Sequence, residues 1–320
     1  MKRFLINLLF FLILTGFSAV GLVLLSNFAI NQKVNQILTI SDNVKMIFAG
    51  DSNIECAIND SLIANSINIA QSGEAYLYSY VKIKSLLEHN DQISTIFIGF
   101  SFGELLKGVE ENWLFSDEFV IEKIKLYNYL LSSSEKSLLI RKNPIAYVEG
   151  LLQSIFSNFQ TFMKSFSLAE SNKRIINFGG YQYLVRDKLQ EDIKIHSFTE
   201  QVPKKGLFQE KYLKMISNLC KQKSIKLVLL QTPKSKYYTA NVYVGIKNNW
   251  LSVRNSLSQD SLLDLSRLIL PDSCYGDLSH LNYKGAKIFS EYLNKKLNSN
   301  LNDSLDKINS RIIHATYKIR

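Results

Sequence analysis

Residues 47–53 read Ile-Phe-Ala-Gly-Asp-Ser-Asn, an apolar run that stops at Gly50-Asp51-Ser52 and passes into helix-forming sequence. A strand that ends there leaves the Ser52 hydroxyl at a strand-to-helix turn, facing solvent and the positive end of the helix. Near the other end, residues 277–280 read Asp-Leu-Ser-His. That pair offers an imidazole to take the serine proton and a carboxylate to orient the imidazole. Ser52, Asp277 and His280 are therefore the candidate catalytic residues, in the chain order Ser…Asp…His.

Working outward from Ser52, the pattern predicts a strand over Lys45–Gly50, a helix over Asn53–Asn65 and a short strand over Ser66–Ala70. A helix over Ala75–His89 and an isoleucine-rich strand over Ser94–Phe100 follow. The continuous apolar runs suit strands buried on both faces, and the alternation with helices predicts βαβ units with right-handed crossovers. The pattern resumes with a helix over Phe208–Lys223, a strand over Ile225–Gln231, a helix over Val244–Ser258 and a strand over Leu262–Leu265. A last helix over Asn282–Leu297 carries Ala286, Phe289, Leu293 and Leu297 on one core-facing stripe.

These blocks and their order resemble the SGNH/GDSL family of serine esterases and acyltransferases. The resemblance rests on Gly50-Asp51-Ser52, on Gly73 in Asn-Ile-Ala-Gln-Ser-Gly, and on Asp277 and His280 before the last helix. It covers roughly residues 44–105 and 208–297. It implies a three-layer, flavodoxin-like parallel α/β sheet, a Ser52 nucleophile, and an oxyanion hole built from the backbone N–H groups of Ser52 and Gly73. Where the family carries Gly-x-Asn-Asp after the third strand, this chain has Gly99-Phe100-Ser101-Phe102-Gly103-Glu104. The asparagine donor is missing, with Ser101 and Asn53 as nearby substitutes. Losing one such donor typically removes ~2.7–4 kcal/mol of transition-state stabilisation.

Met1-Lys2-Arg3 precedes an apolar run from Phe4 to about Leu25, a length that matches the ~30 Å hydrocarbon core. The run outlasts the ~7–15 apolar residues of a cleaved signal peptide and continues past the small residues Ser18-Ala19. Residues 1–26 read as an uncleaved signal-anchor in the cytoplasmic membrane. Lys2 and Arg3 keep the N-terminus inside, and the catalytic domain lies outside the cytoplasm. Residues 27–44 read as a polar stalk, 45–297 as the α/β domain with a mostly helical insertion at 105–207, and 298–320 as a polar tail.

Within the insertion, Val148, Leu151, Leu152, Ile155, Phe156, Phe159, Phe162, Met163 and Phe166 share one helical face. That spacing predicts packing on a core; a cap over the cleft or a face resting on lipid is the functional alternative. Phe178-Gly179-Gly180-Tyr181 predicts a hairpin turn.

At 320 residues and 46% hydrophobic the chain can bury a sizeable core, and four prolines and fourteen glycines offer no dividing linker. The net charge of +10 comes from scattered lysines with no nucleic-acid module. It reads as a solvated surface, or as a face held near anionic lipid or polysaccharide. No metal-ligand spacing or cofactor motif is present. Cys56, Cys220 and Cys274 cannot all pair within one chain; Cys56 reads as a buried small hydrophobe, and Cys274 as buried or lining the cleft. His89, His196 and His314 read as surface or capping residues.

The expected function is that of an extracytoplasmic serine esterase or O-acyltransferase acting on acyl esters, plausibly of a cell-envelope glycan. Its partners are the lipid bilayer, an acyl-ester or glycan substrate and, in a transferase, a multi-spanning acyl-donor membrane protein. The alternative is a catalytically impaired domain that binds glycan or an envelope partner.

Overall fold

The computed structural model describes residues 2–165, 178–195, 204–240, 244–257 and 259–298. In chain order the elements are α1 (Lys2–Leu38), β1 (Met46–Ala49), α2 (Ser52–Ala57), β2 (Ser66–Asn68), α3 (Tyr76–Leu87) and β3 (Thr95–Gly99). Then come α4 (Lys107–Phe115), α5 (Asp117–Tyr127), α6 (Ser133–Lys142), α7 (Pro144–Ser165), α8 (Leu189–Ile195), α9 (Leu207–Gln222) and β4 (Lys226–Gln231). The chain ends with α10 (Lys236–Ala240), α11 (Val244–Ser256), β5 (Ser261–Asp264) and α12 (Tyr283–Asn298). It divides into two units, one of residues 1–39 and 120–177, the other of residues 40–119 and 178–320.

The larger unit is an α/β fold around a five-stranded, wholly parallel sheet in the order β2-β1-β3-β4-β5. Its central strands are buried on both faces, which is why they read as unbroken apolar runs: Ile47, Phe48, Ile96, Phe97, Ile98, Leu229 and Leu230 are all inaccessible or nearly so. Phe48 and Phe97, side by side in register, stack with ring centroids 4.7 Å apart. The direction in which successive strands are added reverses between β1 and β3. Right-handed crossovers therefore put α2 on one face and α3 and α9 on the other. Accordingly α3 packs on α9, and α12 returns to pack on α2. Asn282 caps α12, its side-chain oxygen accepting from the N–H of Lys284 at 3.0 Å and of Gly285 at 3.2 Å. Ala286, Phe289 and Leu293 are buried, with Leu297 packed at the margin of the same core.

Two expectations in this unit are corrected. The helix after Ser52 ends at Ala57 rather than running to Asn65. Asn59 offers its side-chain oxygen to the N–H of Ser61 at 3.2 Å, starting a separate 3-10 turn, and Asn65 sits at φ 57°. No hairpin forms at Phe178–Tyr181. Residues 178–188 instead run as an extended strap without strand partners. Gly179 (φ 103°) presses so close to β2's end that an added Cβ would lie 2.1 Å from the Ala70 carbonyl oxygen. Gly179 serves close approach, whereas an added Cβ at Gly180 would meet nothing nearer than 3.7 Å.

In the smaller unit α1 carries the apolar run Lys2–Leu25, the one segment among the described residues long and apolar enough to cross a membrane. The helix continues past that run to Leu38, through most of the stretch read as a stalk. α7 packs on α1 and α6, and Gly150 lets it close on α5: an added Cβ there would lie 2.8 Å from the Ile121 carbonyl oxygen. The expected burial of the Val148–Phe159 face is also corrected, since Val148, Leu152 and Phe156 are exposed. The buried positions are Ala146, Tyr147, Gly150 and Ser154 on the opposite side. The side chains of Phe162, Met163 and Phe166, together with His196, His314 and the tail beyond Asn298, lie outside the described residues.

Candidate active site

The loops leaving the carboxyl ends of the parallel strands converge at one edge of the sheet, where open α/β folds place their ligands. Gly50, at φ 137°, packs an added-Cβ distance of 3.1 Å from Gly99 N, so the β1 and β3 ends lie close together. Asp51 caps α2: one carboxylate oxygen accepts from the backbone N–H of Asn53 at 2.9 Å, the other from the Asn53 amide at 2.8 Å. Ser52 is thereby fixed as the first residue of the helix, half-buried.

The structure brings together three residues singled out above. Ser52 Oγ lies 2.8 Å from His280 Nε2. His280 Nδ1 lies 2.9 Å from both carboxylate oxygens of Asp277. Asp277 also accepts from the backbone N–H of Ser279 at 2.9 Å and of His280 at 2.8 Å. Burial alone would raise this carboxyl. The hydrogen bond and charge of His280, helped by the two backbone donors, hold it well below the usual carboxylate range. An ionised Asp277 places the imidazole proton on Nδ1, which leaves Nε2 free to accept from Ser52.

Gly73 lies in the loop after β2 at φ 61°, and that loop is tied to the Gly50–Ser52 turn by Gln71 N–H donating to the Gly50 carbonyl at 3.0 Å. An added Cβ at Gly73 would sit 2.0 Å from the Phe119 ring, so only glycine fits. Ser101 follows β3 and is buried. Asn53 is engaged on both sides, its amide donating to Asp51 and its oxygen accepting from Lys234. Cys56 and Cys274 are buried, and Cys274 belongs to the core beneath α12 rather than to a cleft. His89 is exposed at the end of α3, with Nδ1 2.9 Å from the Ser85 carbonyl.

Three contributors escaped sequence reading. Lys234, buried just beyond β4, donates to the Asn53 side-chain oxygen and, at 3.0 Å, to the Ser279 carbonyl. It so bridges the nucleophile turn and the imidazole loop. Burial lowers its pKa, opposed by the charges of Asp51, Glu104 and Asp277 around it. Glu104 is buried with Tyr76, whose hydroxyl donates to it and to the Gly99 carbonyl at 2.8 Å. Burial first, and then the Asp51 charge, push the Glu104 carboxyl well above its usual range. The third is Arg186 of the strap, with one guanidinium nitrogen 2.6 Å from Asp277 Oδ2. The strap is laced along the Asp277–His280 loop by Lys188 N–H to the Gly276 carbonyl at 2.8 Å and Tyr283 N–H to the Leu184 carbonyl at 3.0 Å. Tyr183 stacks on Tyr283 with centroids 4.6 Å apart. Only the pairing of Thr232-Pro233 with a following lysine at a strand end hinted at Lys234, and nothing local marked Arg186.

A family model that carries no functional description matches residues 156–302. No curated protein matches the chain. Among solved structures, "a putative platelet activating factor from Streptococcus pneumonia" is similar at 13% identity over 87% of this chain and 99% of that one, with a TM-score of 0.37. That likeness is too slight to carry weight, and the reading of function rests on the site itself.

Proposed function

We propose that the chain is a serine esterase or O-acyltransferase of the SGNH/GDSL type, built on a flavodoxin-like sheet, that works through a covalent Ser52 ester. The observation that carries this is the unbroken relay from Ser52 Oγ through His280 to Asp277, at 2.8 Å and 2.9 Å. In the reaction Ser52 Oγ attacks the ester carbonyl carbon as His280 Nε2 takes its proton. Asp277 holds the imidazolium. The backbone N–H groups of Ser52 and Gly73 face the developing oxyanion. Collapse of the tetrahedral adduct expels the alcohol, which receives the proton from His280, and leaves the acyl group on Ser52. Water or a sugar hydroxyl, deprotonated by His280, then attacks the acyl carbon; the Ser52 Oγ–acyl bond breaks and Ser52 recovers the proton from His280.

The apolar α1 run with Lys2 and Arg3 before it supports an anchor with the N-terminus inside and the site outside the cytoplasm. That location favours O-acyl groups of a cell-envelope glycan, with acyl groups supplied in the transfer reaction by a multi-spanning membrane partner. A second reading, a binding domain without turnover, draws on the third block. No asparagine occupies it, and the Asn53 amide is already engaged by Asp51 and Lys234.

A fluorophosphonate probe applied to the full chain in detergent separates the two. Stoichiometric labelling that vanishes in Ser52→Ala is expected. A folded chain that does not label rejects the enzyme in favour of the binder.

A further inference from the structure

α7 is built the wrong way round for a soluble protein. Its inward side is made of Ala146, Tyr147, Gly150 and Ser154, all buried, with Tyr147 donating to the Asn128 side chain at 3.0 Å. Its large apolar residues Ile145, Val148, Leu152 and Phe156 fall at i, i+3, i+7 and i+11 and look outward, Ile145 at 81% and Phe156 at 67% exposure. Glu149, Gln153 and Gln160 form a polar edge beside that stripe, with Gln153 donating to Glu149 at 3.2 Å. A helix packed by its small residues that leaves its apolar ones bare has a second apolar surroundings to meet.

The position of α7 says which. It packs against α1. The apolar run Lys2–Leu25 lies on that same helix and holds no buried residue. Exposed Arg141 and Lys142, at the end of α6, stand immediately before the stripe in the chain. This is the make-up of a helix that lies along a bilayer surface, with an apolar face below, a polar edge level with water and cations for anionic headgroups.

We propose that α7 is an interfacial helix whose Ile145–Val148–Leu152–Phe156 face sinks into the outer leaflet of the bilayer that α1 crosses. The anchor thus has two contacts with lipid, one across the membrane and one along it. The inference rests on reading α1 as the membrane span.

The test uses the full chain in vesicles of phosphatidylethanolamine and phosphatidylglycerol, with Phe156→Cys carrying an environment-sensitive fluorophore and Leu152→Cys as a second site. The native thiols of Cys56, Cys220 and Cys274 are buried and pushed up to about 12, 12 and 11, so the dye goes to the new cysteine. A face sunk ~5–10 Å into the interface is expected to lose about half its emission to nitroxide on lipid chains and to resist aqueous iodide. Iodide quenching at both sites, with none from lipid, overturns the proposal. Shielding from both quenchers that disappears on dilution into excess lipid assigns the face to a second copy and overturns it as well. Alkaline extraction reports separately on α1: a chain stripped by alkali whose sites were quenched by lipid beforehand keeps the face and loses the span.

Discussion

Lys234→Met removes an ammonium that reaches two loops at once. The methionine stem fills a similar volume, so the change isolates the two hydrogen bonds, to the Asn53 side-chain oxygen and to the Ser279 carbonyl. Each acceptor left unpaired in a buried setting costs ~1–3 kcal/mol, for a sum of about 2–6 kcal/mol. Asn53 and Ser279 are only half-buried, so water repairs part of the loss and the lower end, about 2–3 kcal/mol, is expected. Asp51 is buried beside the lost charge and cannot be repaired in that way, which keeps the cost from vanishing. Urea unfolding followed by tryptophan fluorescence measures this. Trp250, whose indole donates to the Phe100 carbonyl at 3.0 Å, reports on the same end of the sheet. Loss of the bridge also loosens Ser52 relative to His280, and a misplacement of ~1 Å can cost about a hundredfold in rate. A Met variant within ~0.5 kcal/mol of the parent, with unchanged fluorophosphonate labelling, would refute the clamp.

Asp277→Asn keeps the shape but offers an amide to an imidazole that needs an acceptor at Nδ1, so labelling of Ser52 should fall by about 10⁴-fold, measured as a labelling rate constant. The folded-state pKa of Asp277 is depressed, so its stabilisation is present above the unfolded value of ~3.9 and is lost as pH falls through the folded one. The stability gap between parent and variant should therefore hold above pH ~4 and narrow only as pH falls below it, read from urea midpoints at about pH 5 and about pH 2; a gap that widens on acidification contradicts the assignment. Gly179→Ala puts a methyl against the Ala70 carbonyl at a φ of 103° and should cost roughly 1–3 kcal/mol or more, read from the thermal midpoint. An unchanged midpoint would show that the strap does not bear on β2.

The parallel strands were legible because burial on both faces writes an unbroken apolar run, and Ile47–Ala49, Ile96–Ile98 and Leu227–Leu230 each do so. The loops at their carboxyl ends could be placed for the same reason, and with them Ser52, Asp277 and His280. The strap was misread because two glycines between strand formers look alike whether they turn a chain or let it press on a neighbour. The surface of α7 was half legible: periodicity reveals that an apolar face exists but not which side the small residues will choose for packing. Lys234 and Arg186 were hidden by distance, since each meets its partner only after the sheet is assembled, 181 residues away for Lys234 with Asn53 and 91 for Arg186 with Asp277.

Ser52 and His280 are 228 residues apart. The imidazole loop is held by α12, whose Ser290 accepts from the N–H of Asn59 at 2.9 Å and donates to the Ala57 carbonyl at 3.3 Å at the far end of the nucleophile's own helix. During synthesis the hydroxyl therefore emerges long before the imidazole it meets. On the function proposed above, reactivity arrives with the last helix, and a nascent chain stalled before it carries a serine as inert as any other.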